Sequence, residues 1–340
     1  MVIFNSANDV AEYHYSYPID ELRLSHSTLQ TFASCPRRFE FSKLFNNPKY
    51  EESTATRCGT ALHEGFQDYL INRNIDHAIW KMMLAYPWEH GVSSMKDRSA
   101  ESCYNTLMEM INNFDVDRYE LAYIIDKNGN RVPCIELPFQ IEFEGYDLKI
   151  PSLQKNVARK SIPITYVGFI DLVVFDKQLY EFLVIDIKTT TDKSEDQSAK
   201  FEYSSQCVPY SLVVNQILQL PNDSLRVGYY IANISNTEAK ARLFSFIKTE
   251  NDLRNWARDM EISLSNIIKY TSYNHFPCNG GSTCVQYSRR CKYYDLCHNH
   301  DNKSVMLSLF YDGEQEEIRP FEPLVTIKLN LKDLTKWNER

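Results

Sequence analysis

Apolar and polar positions divide the chain into helical and strand-rich stretches. Residues 24–45 (LSHSTLQTFASCPRRFEFSKLF) carry a helical apolar stripe, and Ser25 or Ser27 can cap a single helix there. Residues 59–72 predict a second helix, and residues 76–123 show further helical patterns. The first third of the chain is therefore expected to be helical.

Strand-like sequence begins near residue 135. Residues 135–150 (IELPFQIEFEGYDLKI) alternate in polarity, which predicts a pair of strands. Residues 164–176 (ITYVGFIDLVVFD) and 180–190 (YEFLVIDIKTT) are rich in β-branched and aromatic side chains, and the short link between them suits a hairpin. Two more strands are predicted at 226–234 and 241–249.

Helices are predicted on both sides of these last two strands, over residues 202–219 and 250–270, although Pro209 is awkward inside the first. The order of elements predicts an α/β fold with a mixed central sheet flanked by helices. We expect three parts: an N-terminal arm over 1–24, a domain over 25–300 with a helical insertion at about 74–125, and a C-terminal extension of unknown role over 301–340.

Composition and charge narrow the class of protein. Hydrophobic residues make up 43% and charged residues 24% of the 340 residues, as in soluble globular proteins. We find neither a signal-peptide pattern nor an apolar run near the roughly 18 residues of a membrane span, so we expect a cytoplasmic protein without membrane contact. The net charge of −8 argues against a protein that coats nucleic acid, although basic clusters occur at Arg37–Arg38 and Arg289–Lys292. It is compatible with an acidic site for divalent cations.

Two aspartates lie within apolar strand sequence. Asp171 (GFIDLVVF) and Asp186 (FLVIDIKT) are expected to be buried, and a buried carboxylate needs a partner or a cation. Lys188 follows Asp186 by two residues, which places both side chains on one face of a strand. A carboxylate beside an ammonium can hold Mg²⁺ and stabilise negative charge at phosphorus. A purely structural Asp–Lys pair at a sheet edge is the alternative interpretation.

Five short motifs occur in a fixed order along the chain. They are Ser25-His-Ser27 followed by Cys35-Pro36, Gly59-Thr-Ala-Leu-His63, Gly168-Phe-Ile-Asp171, Asp186-Ile-Lys188, and Gln206-Cys-Val-Pro-Tyr210. In this order they resemble the PD-(D/E)XK nuclease superfamily, and within it the RecB-like branch. The resemblance implies a restriction-endonuclease-like core and a phosphodiesterase that cleaves DNA with Mg²⁺ or Mn²⁺ as its cofactor.

The resemblance also assigns roles to individual residues. It implies catalytic roles for Asp171, Asp186, Lys188, Gln206 and Tyr210, and metal ligation by His63, Asp171, Asp186 and the backbone carbonyl of Ile187. Lys188 would position or activate water, while Gln206 and Tyr210 would contact the active site or the DNA backbone. Glu136 in the first strand is a further candidate near the site. The simpler alternatives are a packed helix residue for His63 and a surface pair for Gln206 and Tyr210.

Nine cysteines in a protein expected to be cytoplasmic favour a metal site over disulfides. Nucleases of the RecB-like branch that carry an iron–sulfur cluster, such as AddB-type and CRISPR-associated exonucleases, have one cysteine before the core and three after it. The resemblance therefore implies Cys35, Cys284, Cys291 and Cys297 as ligands of a 4Fe–4S cluster. Cys278 leaves a zinc site open, although the short Cys–Cys spacing that zinc favours is absent. The other four cysteines are expected to be small buried side chains.

Together these features predict a metal-dependent DNA nuclease, an exonuclease or an endonuclease, with single-stranded DNA ends as the favoured substrate. A catalytically idle DNA-binding relative is one alternative. An accessory subunit of a recombination, repair or CRISPR-adaptation complex, acting with a helicase or recombination partner, is another. The sequence contains no helicase P-loop, so the chain is not itself a motor.

Overall fold

The computed structural model describes residues 17, 19–45, 54–88, 98–152, 156, 158–191, 197–220, 224–235, 237–286, 289–298 and 321–335. The chain forms two units. The first unit contains residues 1–49, 140–168 and 257–340, and the second contains residues 50–139 and 169–256. In the described part of the chain, no helix has both the length and the apolar character needed to cross a membrane.

The helices are α1 (His26–Ser34), α2 (Pro36–Phe39), α3 (Thr54–Asn72), α4 (Ile75–Ala85), α5 (Ala100–Asn113), α6 (Gln197–Glu202), α7 (Cys207–Leu218), α8 (Glu250–Ser272), α9 (Tyr294–His298) and α10 (Leu331–Thr335), and a π-helical segment, Glu40–Leu44, follows α2. The strands are β1 (Leu22–Leu24), β2 (Tyr119–Leu121), β3 (Tyr123–Ile125), β4 (Arg131–Pro133), β5 (Ile135–Ile150), β6 (Lys160–Asp176), β7 (Glu181–Thr190), β8 (Ser224–Asn233), β9 (Lys240–Thr249), β10 (Val285–Gln286), β11 (Arg289–Arg290) and β12 (Val325–Leu329).

The first unit contains part of the sheet and the cysteine-rich segment. Its strands follow the order β12, β5, β6, and β1 lies parallel to β6 with Leu22 opposite Ile164. The helix α8 packs near β5, since the hydroxyl of Tyr146 donates a hydrogen bond to Glu261 at 3.3 Å. Aromatic rings from α1, α2 and the loop after α8 form its core, with Phe32, Phe39 and Phe276 all buried.

The second unit contains a mixed sheet covered on both faces. The strand order is β6, β7, β8, β9; β7 and β8 are parallel, and the other neighbouring pairs are antiparallel. Adjacent residues of β8 point to opposite faces: Tyr229 stacks on Phe201 of α6 at 4.7 Å, and Tyr230 packs on Phe66 of α3 at 5.3 Å. The fold is therefore α/β, with a mixed central sheet flanked by helices, as the sequence predicted.

Residues 24–45 do not form the single helix that the sequence predicted. Ser25 does cap α1, accepting a hydrogen bond from the backbone N–H of Thr28 at 3.3 Å. The helix ends at Ser34, however, because Cys35 adopts an extended backbone with φ −159°. The following Pro36 disfavours helical geometry at the residue before it and then begins α2 at its first position.

Three other expectations about local structure need adjustment. Residues 135–150 form one 16-residue strand rather than a strand pair, although Gly145 within it has φ +81°. Residues 119–125, predicted as helical, form β2 and β3, while α4 and α5 are helical as predicted. Pro209 does not interrupt a helix, because α7 begins at Cys207. Pro209 therefore lies in the first turn, where the backbone N–H groups have no partner within the helix. The C-terminal extension contains β12 and α10, and its residues 301–320 and 336–340 lie outside the described residues.

Candidate active site

The β6–β7 hairpin of the second unit carries both predicted aspartates. Leu172 lies opposite Ile185, and the next position on each strand is Asp171 and Asp186. Asp186 is fully buried at 0% exposure, whereas the Lys188 side chain keeps 33%. The Lys188 Nζ lies 2.7 Å from Asp186 Oδ2. The two side chains therefore share a face of the strand, as their spacing of two residues predicted.

Backbone and side-chain donors fix the orientation of both carboxylates. Asp171 Oδ2 accepts a hydrogen bond from the backbone N–H of Ile187 at 2.7 Å. Asp186 Oδ1 accepts one from Gln206 Nε2 at 2.9 Å, and the same amide nitrogen lies 3.3 Å from the Tyr210 hydroxyl. Gln206 immediately precedes α7, so the residue at the start of this helix contacts Asp186. Gln206 and Tyr210 are thus part of the acidic centre rather than a pair on a helix surface.

His63 and Glu136 lie beside Asp171. One ligand atom from each of these three residues lies within 4.8 Å of the others, and His63 Nδ1 is 3.7 Å from Glu136 Oε1. Glu136 has φ +45°, a left-handed conformation that non-glycine residues seldom adopt. Its carboxylate also accepts a hydrogen bond from Gln67 Nε2 at 2.7 Å. The sequence did not single out Gln67; its position four residues after His63 on α3 was the available signal.

Burial and mutual repulsion govern protonation in this cluster. Burial raises the pKa of Asp171, as does the neighbouring Asp186 carboxylate, and burial also raises the pKa of Asp186. Burial would lower the pKa of Lys188, but the charges of Asp186 and Asp171 outweigh it and raise that pKa. Burial would likewise lower the pKa of His63, yet hydrogen bonding to Glu136 and the charge of Asp171 raise it. Crowded, desolvated carboxylates of this kind gain most from a bound cation.

The donor set fits a divalent metal ion. Carboxylate oxygens suit Mg²⁺ and Mn²⁺, and an imidazole nitrogen is compatible with Mn²⁺. Among the described residues, His63, Glu136 and Asp171 are the group whose ligand atoms converge in this way. Asp186 lies next to Asp171 in the same hairpin, and its carboxylate is bound by Lys188 and Gln206.

The first unit holds a cavity of about 440 Å³, and five cysteines line it: Cys35, Cys278, Cys284, Cys291 and Cys297. Hydrogen bonds join the two distant segments that supply them. The backbone N–H of Arg37 donates to Pro277 at 3.1 Å, and the Asn279 side chain donates to the Ser34 carbonyl at 2.9 Å. Burial raises the pKa of Cys278, and the nearby thiols of Cys35 and Cys284 raise it further. The remaining four cysteines are buried, as expected.

The sequence matches a known protein family over most of its length. A family model of the PD-(D/E)XK nuclease superfamily matches residues 23–298. A crystal structure of a candidate exonuclease from Eubacterium rectale is 14% identical, with a TM-score of 0.42, and the match covers 87% of this chain and 91% of that one. No curated protein matches the sequence significantly. Because the family model spans most of its length, the chain belongs to the PD-(D/E)XK nuclease superfamily.

Proposed function

We propose that this protein is a metal-dependent DNA exonuclease that hydrolyses phosphodiester bonds at the ends of single-stranded DNA. One observation carries the proposal: in a member of a nuclease superfamily, the Lys188 ammonium lies 2.7 Å from the buried Asp186, next to Asp171. An ammonium and two carboxylates at one strand pair supply the charges that phosphodiester hydrolysis requires. The choice of DNA ends is the finer part of the proposal and follows the family resemblance.

The cation would be held by His63, Asp171 and Asp186, with Glu136 as a further oxygen donor. The family resemblance adds the backbone carbonyl of Ile187. When bound, a divalent cation lowers the pKa of water and neutralises charge on the phosphate. The positive φ of Glu136 and its bond to Gln67 support a role for that carboxylate at the site, because both hold it beside His63.

The protein groups around the cation have separable tasks. Lys188 is an ammonium within an ion pair, so it would orient the attacking water and stabilise negative charge at phosphorus rather than remove a proton. Gln206 donates a hydrogen bond to Oδ1 of Asp186 and thereby fixes the orientation of that carboxylate. Tyr210, bonded to Gln206, would contact the nucleic-acid backbone. Hydrolysis would form a P–O bond from water and break the bond to the 3′ oxygen, leaving a 5′ phosphate.

The decisive experiment compares wild type with Asp186→Asn and Lys188→Met on end-labelled linear single strands, duplexes and circular single strands, with Mg²⁺ or Mn²⁺. We expect both variants to lose at least about 100-fold in rate, because Asp186→Asn weakens the hold on the cation and Lys188→Met removes the ammonium that stabilises charge at phosphorus. The control is Glu181→Gln, which alters an exposed carboxylate at the start of the same strand and should retain activity.

Resistance of circular single strands would support an exonuclease, whereas their cleavage would show an endonuclease. Equal rates for wild type and Asp186→Asn would contradict the enzyme proposal. Activity that appears only with a helicase or recombination partner would instead support an accessory subunit of a repair, recombination or CRISPR-adaptation complex.

We also propose that Cys35, Cys284, Cys291 and Cys297 bind a 4Fe–4S cluster. The observation that supports it is the single cavity that they line, although Cys35 is separated from the others by about 250 residues. By analogy with disulfides, such a tie would stabilise the fold by about 5 kcal/mol.

Anaerobic purification tests the cluster. The wild type should be brown, with broad visible absorption and with iron and acid-labile sulfide bound. Cys35→Ser should lose these signals, and Cys278→Ser should keep them. A colourless protein that contains zinc would overturn the iron–sulfur assignment.

A further inference from the structure

A small buried cluster joins two distant basic segments of the first unit. Phe41 of the π-helical segment packs on Tyr293, with ring centroids 5.5 Å apart, and both are buried with Leu296 of α9. Residues 36–45 thereby lie against residues 289–298. Packing of these apolar side chains brings the polar residues between them to a common surface.

This surface is rich in positive charge. The two segments contain six basic and two acidic residues, a net charge of +4 in a chain whose total is −8. Arg37 and Glu40 are buried and lie 3.7 Å apart, so part of that charge is used internally. Among the side chains that the structure describes, four of the other basic residues are at least partly exposed, and so is the acidic Asp295: they are Arg38, Lys43, Arg290 and Lys292. We call these four residues the basic surface.

The members of the basic surface lie on two segments that pack together. Arg38 lines the same cavity as Tyr293 and Tyr294, the residues that follow Lys292. Lys43 is two residues after Phe41, whose ring packs on Tyr293. Cations that are gathered in this way repel each other, and a polyanion that binds them relieves the repulsion while releasing its own counterions.

Aromatic side chains lie among these cations. The guanidinium of Arg290 lies 5.0 Å from the ring centroid of Tyr294, and the Lys292 ammonium lies 4.8 Å from that of Tyr293. Tyr294 is half-buried, with the His298 ring 4.2 Å away. Positive charge along a surface combined with a partly exposed ring, here that of Tyr294, is typical of sites that bind single-stranded nucleic acid without sequence preference.

We propose that Arg38, Lys43, Arg290 and Lys292 bind the phosphate backbone of a nucleic-acid strand, as a contact surface additional to the acidic centre. The inference rests on the proposed function only for the identity of the polyanion, because a nuclease meets nucleic acid as its substrate. Members of the basic surface hold the strand independently of its base sequence, so their contribution falls as salt rises.

The test uses the full-length protein, purified anaerobically, and a fluorescent 30-nucleotide thymidine strand without added divalent metal. Binding is measured by anisotropy between about 50 and 250 mM salt. The variant Lys43→Ala/Arg290→Ala/Lys292→Ala should bind about tenfold more weakly. Its slope of log affinity against log salt should fall by about 2, because each phosphate contact to a single strand contributes about 0.7.

The matched control is Lys149→Ala/Lys328→Ala/Lys332→Ala, which removes three exposed lysines from elsewhere in the first unit. It should bind within about twofold of wild type. Lys43→Glu alone is a second variant, eight residues after Cys35 and adjacent to no cysteine, and should weaken binding in the same direction. The proposal would be overturned if the triple variant of the basic surface bound as tightly as wild type, or if it lost as much affinity as the control variant.

Hydrolysis of bis(p-nitrophenyl) phosphate separates this inference from the proposed function. That small diester has no nucleic-acid strand that could contact the basic surface, so the triple variant of the basic surface should cleave it at the wild-type rate. Absence of cleavage by every form, including wild type, would count against the nuclease proposal while the binding data still decide the fate of the basic surface.

Discussion

In the acidic centre, Glu136 has a strained backbone conformation with a positive φ. A non-glycine residue at φ +45° costs on the order of 1–3 kcal/mol, so the surrounding structure must hold it in place. Gln67, 8% exposed, does so through a 2.7 Å hydrogen bond, and His63 approaches from the same helix. Holding this one carboxylate in position therefore lowers the stability of the fold.

Removal of the Gln67 side chain should weaken metal binding. In Gln67→Ala the Glu136 carboxylate loses its donor, and the loss of such a supporting partner typically reduces metal affinity 10- to 100-fold. Titration calorimetry with Mn²⁺ measures the change. Asn72→Ala is the matched control, because Asn72 makes an amide–carboxylate bond to Asp68 on the same helix. Unchanged affinity in Gln67→Ala would mean that Glu136 does not serve the metal.

Sequence reasoning reached the residues of the acidic centre that stand in recognisable spacing. Asp171, Asp186 and Lys188 could be identified because strand periodicity and motif order both point to them. Glu136 was a candidate through the family resemblance. Gln67 could not be identified, since its contact with Glu136 joins residues 69 positions apart and depends on how α3 meets β5. No local pattern encodes a contact of that kind.

At the scale of elements, the β6–β7 hairpin is anchored by a buried ion pair at its turn. Asp176 is 1% exposed and accepts hydrogen bonds from Arg118 Nε at 2.9 Å and Nη2 at 2.6 Å. It also accepts bonds from the backbone N–H groups of Gln178 and Leu179. One carboxylate therefore fixes the turn between the two strands that carry the acidic centre.

Arg118→Met should destabilise the protein by about 1.5–3 kcal/mol at pH 7, the range for hydrogen bonds to a charged group. The Arg118 guanidinium holds the pKa of Asp176 below its usual range. Stabilisation from a lowered carboxyl pKa is present above the unfolded pKa of about 4 and is lost as the pH falls through the folded value. The gap between wild type and variant should therefore be constant from pH 5 to 8 and shrink below about pH 4.

Urea unfolding at several pH values measures this gap. Arg226→Met is the control. Arg226 pairs with Glu181, the first residue of β7, whose side chain is 54% exposed, so the substitution should cost at most about 1 kcal/mol. Equal costs for the two variants would indicate that burial of Asp176 adds nothing to its pair.

Helices α3 and α4 approach each other closely at Gly65. A Cβ there would lie 2.9 Å from the Ala78 carbonyl oxygen and 2.9 Å from Met82 Cβ. Gly65→Ala should therefore destabilise the protein by about 2 kcal/mol, although alanine is the better helix former by about 1 kcal/mol. Thermal or urea unfolding gives the sign, and a gain in stability would show that the two helices can separate without cost.

Elements were predictable where the pattern was unambiguous. The β6–β7 hairpin and the helices α3 and α8 followed from composition and periodicity. Residues 135–150 did not, because alternating polarity fits one long strand and two short ones equally well, and the partner strands decide between them. The break at Cys35 was readable in principle from Pro36, which restricts the residue before it.

At the scale of the whole molecule, net charge describes this protein poorly. A total of −8 conceals basic clusters near residues 38 and 290, and only folding brings them together. The same holds for the cysteines that line one cavity from both ends of the chain. Both features join segments about 250 residues apart. The family resemblance implied that Cys35 lies near the later cysteines, whereas no sequence pattern indicated that the two basic segments pack together. The predicted domain over 25–300 stays a prediction.

The location of the aspartates on one hairpin also bears on the order of assembly during folding. Asp171 and Asp186 meet when a four-residue turn closes, which costs little chain entropy, whereas His63 must arrive from about 100 residues away. The refolding chain should therefore pass through a stage in which two neighbouring carboxylates lack their imidazole neighbour. Mn²⁺ in the refolding buffer should accelerate recovery of native fluorescence in wild type, and not in Asp171→Asn, where the repulsion is already removed.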